Sequence, residues 1–361
     1  MRVGVDGRSL ASDRGRGVAT YLRLLLGTMA HRFPDDEYAL LVPGREPLPD
    51  REGLREPNLR RWRTRLGSRA LFGVAGLVGR PATDRLLGGC DVLWMPAVAP
   101  AAVSPATPLV LTVHDLSFEH RSADFTPYER AWHRVARPRR LAERSERVIA
   151  VSEATRQDLL ASWSLDPTTV VTVLSGPGRP AAAGPAPVGL PAAPFVLAVG
   201  ALEPRKRPDL LLEAHRRATA RGLAAGLVFA GDGPLRDEVA AGGAIVLGHL
   251  PDGQLEAVYA RALALACPSR EEGFGFTPLE ALARGVPAVV ADLPPLRETL
   301  GDAALRVPPG DADALAEALL RLEREWDLRD RLVAAGPAAL ERLSWDRAAR
   351  ATRAVLAEAA S

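Results

Sequence analysis

Pro268-Ser-Arg-Glu-Glu-Gly-Phe-Gly-Phe-Thr-Pro-Leu-Glu280, running on into Ala281-Leu-Ala-Arg-Gly-Val-Pro287, is the stretch from which the fold is read. It follows a short apolar run, Ala262 to Cys267, that reads as a buried strand, and it enters a helix-forming segment closed by Gly285. Strand, Gly-rich turn and helix N-terminus in that order make a ready anion site, because the first N–H groups of a helix lack partners and its dipole favours negative charge. Gly273 and Gly275 let the backbone approach a ligand, and a phosphate is the natural guest.

Two acids qualify that picture. Glu272 precedes the glycines and Glu280 lies eight residues on, about two turns into the expected helix. Carboxylates repel phosphates but accept hydrogen bonds from hydroxyls, so the ligand should carry both groups, as a nucleotide sugar does. On spacing alone, a solvated helix with an acidic first turn explains the same residues.

The residues around the acids settle the choice. Pro268, Ser269, Glu272, Gly273, Phe274, Gly275, Pro278, Glu280, Ala281, Gly285 and Pro287 resemble the signature of the retaining GT-B glycosyltransferases of family 4, in which E-G-F-G-x-x-x-x-E follows a strand ending in P-S. The resemblance implies an α/β chain of GT-B fold: two Rossmann-like, doubly wound parallel-sheet domains facing across a cleft.

Composition agrees with two such halves. The chain has 361 residues, 47% of them hydrophobic, and a formal net charge of +2. That near balance gives no argument for nucleic acid. No apolar run reaches the ~18 residues of a membrane span, and Met1-Arg-Val-Gly-Val-Asp6 enters a strand without a signal-peptide core. The expectation is a cytoplasmic protein, or one resting on the inner face of the membrane. Cys90 and Cys267 stand far apart in apolar settings and read as buried small hydrophobes, so no metal is expected. Basic charge is almost wholly arginine, and the only lysine is Lys206.

In the first half, Met1 to Val5 reads as a strand feeding a loop at Arg14-Gly-Arg-Gly-Val-Ala-Thr-Tyr21, then a helix to about Arg32. The family carries a G-I-G-R-Y-like loop here that approaches the donor diphosphate and the acceptor; Gly15 and Gly17 allow tight backbone, but in Gly17-Val-Ala-Thr-Tyr21 the second glycine and the arginine are replaced. The Arg-rich segment 51–85 reads either as an ordinary amphipathic helix or as a contact for an anionic membrane or lipid-linked acceptor. Asp91 to Pro96 and Leu109 to Val113 read as parallel strands, the second delivering His114. A histidine there is by default structural. Val113-His-Asp-Leu-Ser-Phe118 with Phe125-Thr-Pro127 resembles the family segment whose histidine faces the donor sugar. Arg130 to Arg147 reads as one basic helix, and Ser152 as the N-cap of the next.

Residues 176–194, dense in Pro and Gly, read as the linker. The expected division is 1–175 as the acceptor-side domain, 195–342 as the nucleotide-sugar domain, and 343–361 as a helix crossing back to the first. In the second half strands and helices alternate from Phe195. Gly200 opens Gly-Ala-Leu-Glu-Pro-Arg-Lys206, which matches the family's G-x-x-x-P-R-K, and Arg205 with Lys206 suits a diphosphate gripped from two sides. Ala230-Gly-Asp-Gly-Pro234 reads as a structural turn. At Gly248-His-Leu250 the family's loop lines the nucleotide base, mainly through backbone. Asp311-Ala-Asp313 reads as a helix cap rather than a metal site.

The resemblance therefore implies a retaining, metal-independent transfer of a hexose, mannose favoured, from GDP-mannose or a UDP-sugar to a glycan, lipid-linked or small-molecule hydroxyl. His114, Glu272, Lys206 and Arg205 would serve the chemistry. Gly17, Gly200, Leu250, Gly273, Phe274, Gly275 and Glu280 would hold the donor. A sugar-nucleotide epimerase or hydrolase, and a non-catalytic nucleotide-sugar-binding protein, are the rival readings.

Overall fold

A computed structural model describes residues 1–11, 17–44, 54–64, 67–178 and 181–361. Gly15 and parts of the 51–85 and 176–194 segments lie outside the described residues. The chain forms two compact units, Met1–Gly176 with Ser344–Ser361, and Pro177–Leu343.

The first unit is a parallel sheet of β1 (Arg2–Asp6), β2 (Glu37–Pro43), β3 (Leu59–Thr64), β4 (Val92–Met95), β5 (Leu109–Val113), β6 (Arg147–Ala150) and β7 (Val170–Thr172), in the order β3-β2-β1-β4-β5-β6-β7. Its central strands are buried along their length because helices cover both faces, so they carry apolar runs instead of alternation. The last helix, Trp345–Ala359, belongs to this unit: Trp345 is buried, and Arg353 reaches the buried Asp36 at 3.0 Å.

The second unit repeats the plan with β8 (Phe195–Val199), β9 (Gly226–Ala230), β10 (Ile245–Val246), β11 (Ala262–Cys267), β12 (Ala288–Ala291) and β13 (Ala304–Val307), ordered β10-β9-β8-β11-β12-β13. Every pairing recorded in either sheet is parallel. In each sheet the winding reverses beside the first strand, at β1/β4 and at β8/β11, and such switch points open a crevice outside the strands' carboxyl ends. The Pro-rich segment is fastened to its own unit, Gly184 N donating to the Gly253 carbonyl at 2.8 Å.

Two expectations are corrected. Arg130 to Arg147 is not one helix but two, Pro127–Ala136 and Pro138–Arg144, broken at Arg137 with φ 49°. Pro138 has no N–H to give and disfavours helical backbone in the residue before it. Arg60-Arg-Trp-Arg-Thr64 is an edge strand on β2, not helix. Exposed Arg60, Arg61 and Arg63 suit an edge, where charge discourages further pairing. The helix Ser68–Val78 follows as a separate element.

Asp311 caps its helix, its side chain accepting from Ala314 N. The turn at Gly231 is set by contact: a Cβ there would stand 1.8 Å from the Gly200 carbonyl oxygen, so the β9 loop lies directly against the β8 loop. Gly231→Ala should therefore destabilise the protein by about 2 kcal/mol or more through overpacking, while Gly226→Ala, with nothing within 4 Å of its Cβ, should stay within ~0.5 kcal/mol. Urea unfolding of the two variants checks this, and equal stabilities contradict it.

Candidate active site

The loops leaving β8 and β11 meet at the switch point of the second sheet. After β8, Gly200 takes φ 127° and Pro204–Lys206 forms one 3-10 turn. Arg207, at φ 54°, ends that turn while Nε bonds the Asp209 carboxylate at 2.9 Å. This left-handed residue, rare outside glycine, redirects the chain into the helix Pro208–Ala220.

The two loops are tied by backbone and by charge. Arg270 N donates to the Arg205 carbonyl at 2.9 Å, and Arg205 Nη1 to the Glu271 carbonyl at 3.3 Å. Lys206 Nζ donates to Glu272 Oε1 at 2.5 Å, and Ser269 Oγ donates to the same oxygen at 2.8 Å. Burial pushes the Glu272 carboxyl up, but the Lys206 and Arg205 charges with the hydrogen bonds from Lys206 and Ser269 outweigh it and hold it below its usual value. Glu272 is thus an anion at neutral pH. The Cys267 thiol beneath it is pushed up to about 11, chiefly by burial, and stays protonated.

Gly275, φ 88°, caps the helix Phe276–Leu282, and a Cβ there would meet Leu296 at 2.3 Å. The helix is short, so Glu280 lies little more than one turn inside it rather than two. Phe274 is buried, its carbonyl accepting from Thr299 Oγ1 at 3.1 Å, which pins the Gly273-Phe274-Gly275 turn from below. Glu280 Oε2 accepts from Tyr259 OH at 3.3 Å. Desolvation raises this carboxyl to about 7, with Asp252 and Glu256 adding to the rise and Arg284 and the Tyr259 hydrogen bond opposing it.

The second unit therefore brings together Gly200, Arg205, Lys206, Glu272, Gly273, Phe274 and Gly275, with Glu280 on the helix that follows. Leu250 is half-buried in the loop after β10 and takes no part in these hydrogen bonds. Gly17 and His114 belong to the first unit. Gly17 begins the helix Gly17–Arg32, and His114 follows β5. His114 Nε2 lies 2.9 Å from the Pro96 carbonyl oxygen, which accepts only, so Nε2 carries the proton and Nδ1 is the acceptor. Burial holds its pKa below the usual value, so the ring is neutral, set edge-on to Tyr21 at 4.8 Å.

Sequence reasoning missed the supports of this site. Ser269 stood in the motif without a role; Arg284, four residues after Glu280, was visible by helical spacing. Tyr259, Glu256 and Thr299 come from other helices and gave no local signal.

Two family models match the chain: Glycosyltransferase Family 4 over residues 15–176 and Glycosyl transferases group 1 over residues 189–339. The chain belongs to the group 1 glycosyl transferases of the family 4 type. Among its relatives, the O-antigen chain mannosyltransferase B of Escherichia coli is 27% identical over 66% of this chain and 67% of that protein. A D-inositol 3-phosphate glycosyltransferase of Saccharomonospora viridis is 32% identical over 66% of this chain and 62% of its own length. The chain thus matches about two thirds or less of these relatives. A sucrose-phosphate synthase from Thermosynechococcus elongatus superposes over 99% of this chain and 98% of its own, TM-score 0.72 at 19% identity. The Anabaena protein HepE, solved with UDP and glucose, covers 99% of both chains at TM-score 0.68 and 18% identity. These likenesses concern the fold, which is GT-B: two Rossmann-like α/β halves.

The raised Glu280 pKa has a signed consequence for stability. The folded protein holds this proton up to about pH 7, whereas the unfolded chain releases it near 4.5. The cost of burying the charge is absent below the lower value, grows between the two, and is complete above the upper. Relative to wild type, Glu280→Gln should gain stability between pH 5 and pH 8, by no more than about 3 kcal/mol. Denaturant unfolding at both pH values checks this; a constant difference, or one of opposite sign, contradicts it.

Proposed function

We propose that this chain transfers a hexose from a nucleoside diphosphate sugar to a hydroxyl acceptor, with retention of anomeric configuration and without a required metal. The observation that carries this reading is the Lys206–Glu272 pair joining the β8 and β11 loops, with Arg205 beside it, at the switch point of the second sheet.

In this reading Lys206 and Arg205 balance the charge that develops on the departing diphosphate, already oriented before the reaction. Lys206 keeps one of its three protons on Glu272 and offers the others to phosphate oxygens. Glu272, ionised, accepts from hydroxyls of the donor sugar, and Glu280 from the ribose hydroxyls. The bond from the anomeric carbon to the β-phosphate oxygen breaks as a bond to the acceptor oxygen forms on the same face. The hydroxyl proton leaves with the diphosphate, so no separate base is required. The neutral His114 ring, an acceptor through Nδ1, serves a sugar hydroxyl rather than a negative charge.

Mannose as the sugar, and GDP as its carrier, are favoured by the mannosyltransferases among the relatives, which include a phosphatidyl-myo-inositol mannosyltransferase of Mycobacterium leprae, 35% identical over 40% of each chain. Thermal shifts with GDP, UDP, GDP-mannose and UDP-glucose test the donor, since a ligand at 100 times its Kd raises apparent stability by about 2.7 kcal/mol. GDP-mannose should give the largest shift; a larger UDP-glucose shift reassigns the donor. Lys206→Ala should lower transfer at least ~100-fold, the scale of one transition-state charge contact, while the protein still folds. Near-normal turnover in that variant contradicts the role, and His114→Ala is assayed in the same way.

Among acceptors, a lipid-linked one is favoured by the helix Ser68–Val78, which lacks acidic residues and exposes Val74, Leu77 and Val78. It packs on the helix Pro127–Ala136 through Gly76 and Val135, where Tyr128, Arg130 and Arg134 are also exposed. Apolar and cationic side chains together suit an anionic membrane surface. Replacing Val74, Leu77 and Val78 by Ser should abolish sedimentation with phosphatidylglycerol vesicles; undiminished binding contradicts this surface.

A further inference from the structure

Glu280 is surrounded by residues to which the reading above gives no part. Tyr259, at the end of the helix Asp252–Tyr259, has its ring buried, and its hydroxyl donates to Glu280 Oε2 at 3.3 Å. Burial raises the Tyr259 pKa well above its usual value, so this hydroxyl donates throughout the physiological range. The Arg284 guanidinium lies 4.8 Å over the centre of that ring. It donates Nη1 to the Glu280 carbonyl at 2.7 Å and grips Glu256 with Nε at 2.8 Å and with Nη2. Glu256 in turn accepts from Ala181 N at 2.9 Å. On the other carboxylate oxygen, Gly178 approaches so closely that a Cβ would stand 2.6 Å from Glu280 Oε1.

These contacts share a purpose. An ionised carboxylate offers about four acceptor positions, and here one neutral donor at long range engages it, which leaves capacity for a ligand. A partly buried acid with so little support would swing between rotamers. Arg284 fixes the backbone of Glu280, Tyr259 fixes one oxygen, and Gly178 leaves the other only as much room as a missing side chain provides.

We propose that Tyr259, Arg284 and Gly178 are positioning residues that hold the Glu280 carboxylate for the vicinal hydroxyls of the donor's ribose, making the Pro-rich segment a wall of the nucleotide end of the site. The proposal rests on the assignment of Glu280 to the ribose. Asp252 and Glu256 face the same carboxylate as negative charges and Arg284 as a positive one, and Tyr259 supplies its only side-chain donor among the described residues.

The test is calorimetric binding of GDP and UDP from pH 5.5 to 8.5. The subjects are wild type, Tyr259→Phe, Gly178→Ala, Glu280→Gln and the Tyr259→Phe/Glu280→Gln double variant, each confirmed folded by its unfolding midpoint. The ligand's own ionisation is common to all and cancels. Wild-type binding should strengthen as pH rises through about 7. Tyr259→Phe should move that midpoint up by roughly 0.5 to 1 unit, the worth of one neutral hydrogen bond. Gly178→Ala should weaken binding about tenfold at pH 8, where the added methyl displaces the carboxylate. In the Glu280→Gln background the pH dependence should fall to that of the ligand's own ionisation, and the Tyr259→Phe effect should vanish. If Glu280→Gln weakens binding but Tyr259→Phe leaves the midpoint in place, or adds the same loss in both backgrounds, the positioning role is overturned and the ribose assignment survives. If Glu280→Gln leaves binding and its pH dependence untouched, the ribose assignment itself fails, and the proposal with it.

Discussion

Glu272 sits between the buried Cys267 thiol and the Gly-rich turn, where an uncompensated carboxylate would either cost several kcal/mol or take up a proton. The chain keeps it ionised by delivering the ammonium of Lys206 from one side and the hydroxyl of Ser269 from the other. That requirement orders the neighbourhood. The Pro204–Lys206 turn must stop where it does, Arg207 must take a left-handed backbone, and Gly231 must lack a side chain so that the β9 loop can back the β8 loop. A cation, an anion and the end of a parallel sheet are thereby held in one place before any ligand arrives.

The two acids of the motif are eight residues apart and chemically unlike. Glu272 is held low by cations, while Glu280, desolvated by burial and with two acidic neighbours, is raised to about 7. Divergent environments separate the roles of like side chains. A permanent anion suits steady contact with hydroxyls and with Lys206. A carboxyl that titrates near neutrality offers both oxygens as acceptors only once the proton has gone. In the first unit, His114 is kept neutral by burial and oriented by the Pro96 carbonyl, which leaves its Nδ1 as an uncharged acceptor.

Much of the fold was legible because parallel strands covered on both faces must be apolar throughout. Val92–Met95, Leu109–Val113, Phe195–Val199 and Ala262–Cys267 all announce themselves as such runs. The strand Leu59–Thr64 did not, since an edge strand is only partly covered and can carry exposed arginines. The break at Arg137 was written in Pro138 but is easily lost in a run of good helix formers. Within the site, residues that follow a strand directly were legible from local order. Residues that arrive from elsewhere, such as Tyr259 on a neighbouring helix, had no signature of their own.

By itself the sequence determined the alternation of strands and helices, and it placed Arg205, Lys206, Glu272 and Glu280 in loops and helix starts after strands, because backbone periodicity and glycine positions are local properties. Only the tertiary structure decided that Lys206 pairs with Glu272, that Tyr259 and Arg284 brace Glu280, and that the two acids differ in charge near neutral pH. Those outcomes depend on desolvation and on groups distant along the chain, and both exist only once the sheet has brought its carboxyl-end loops together.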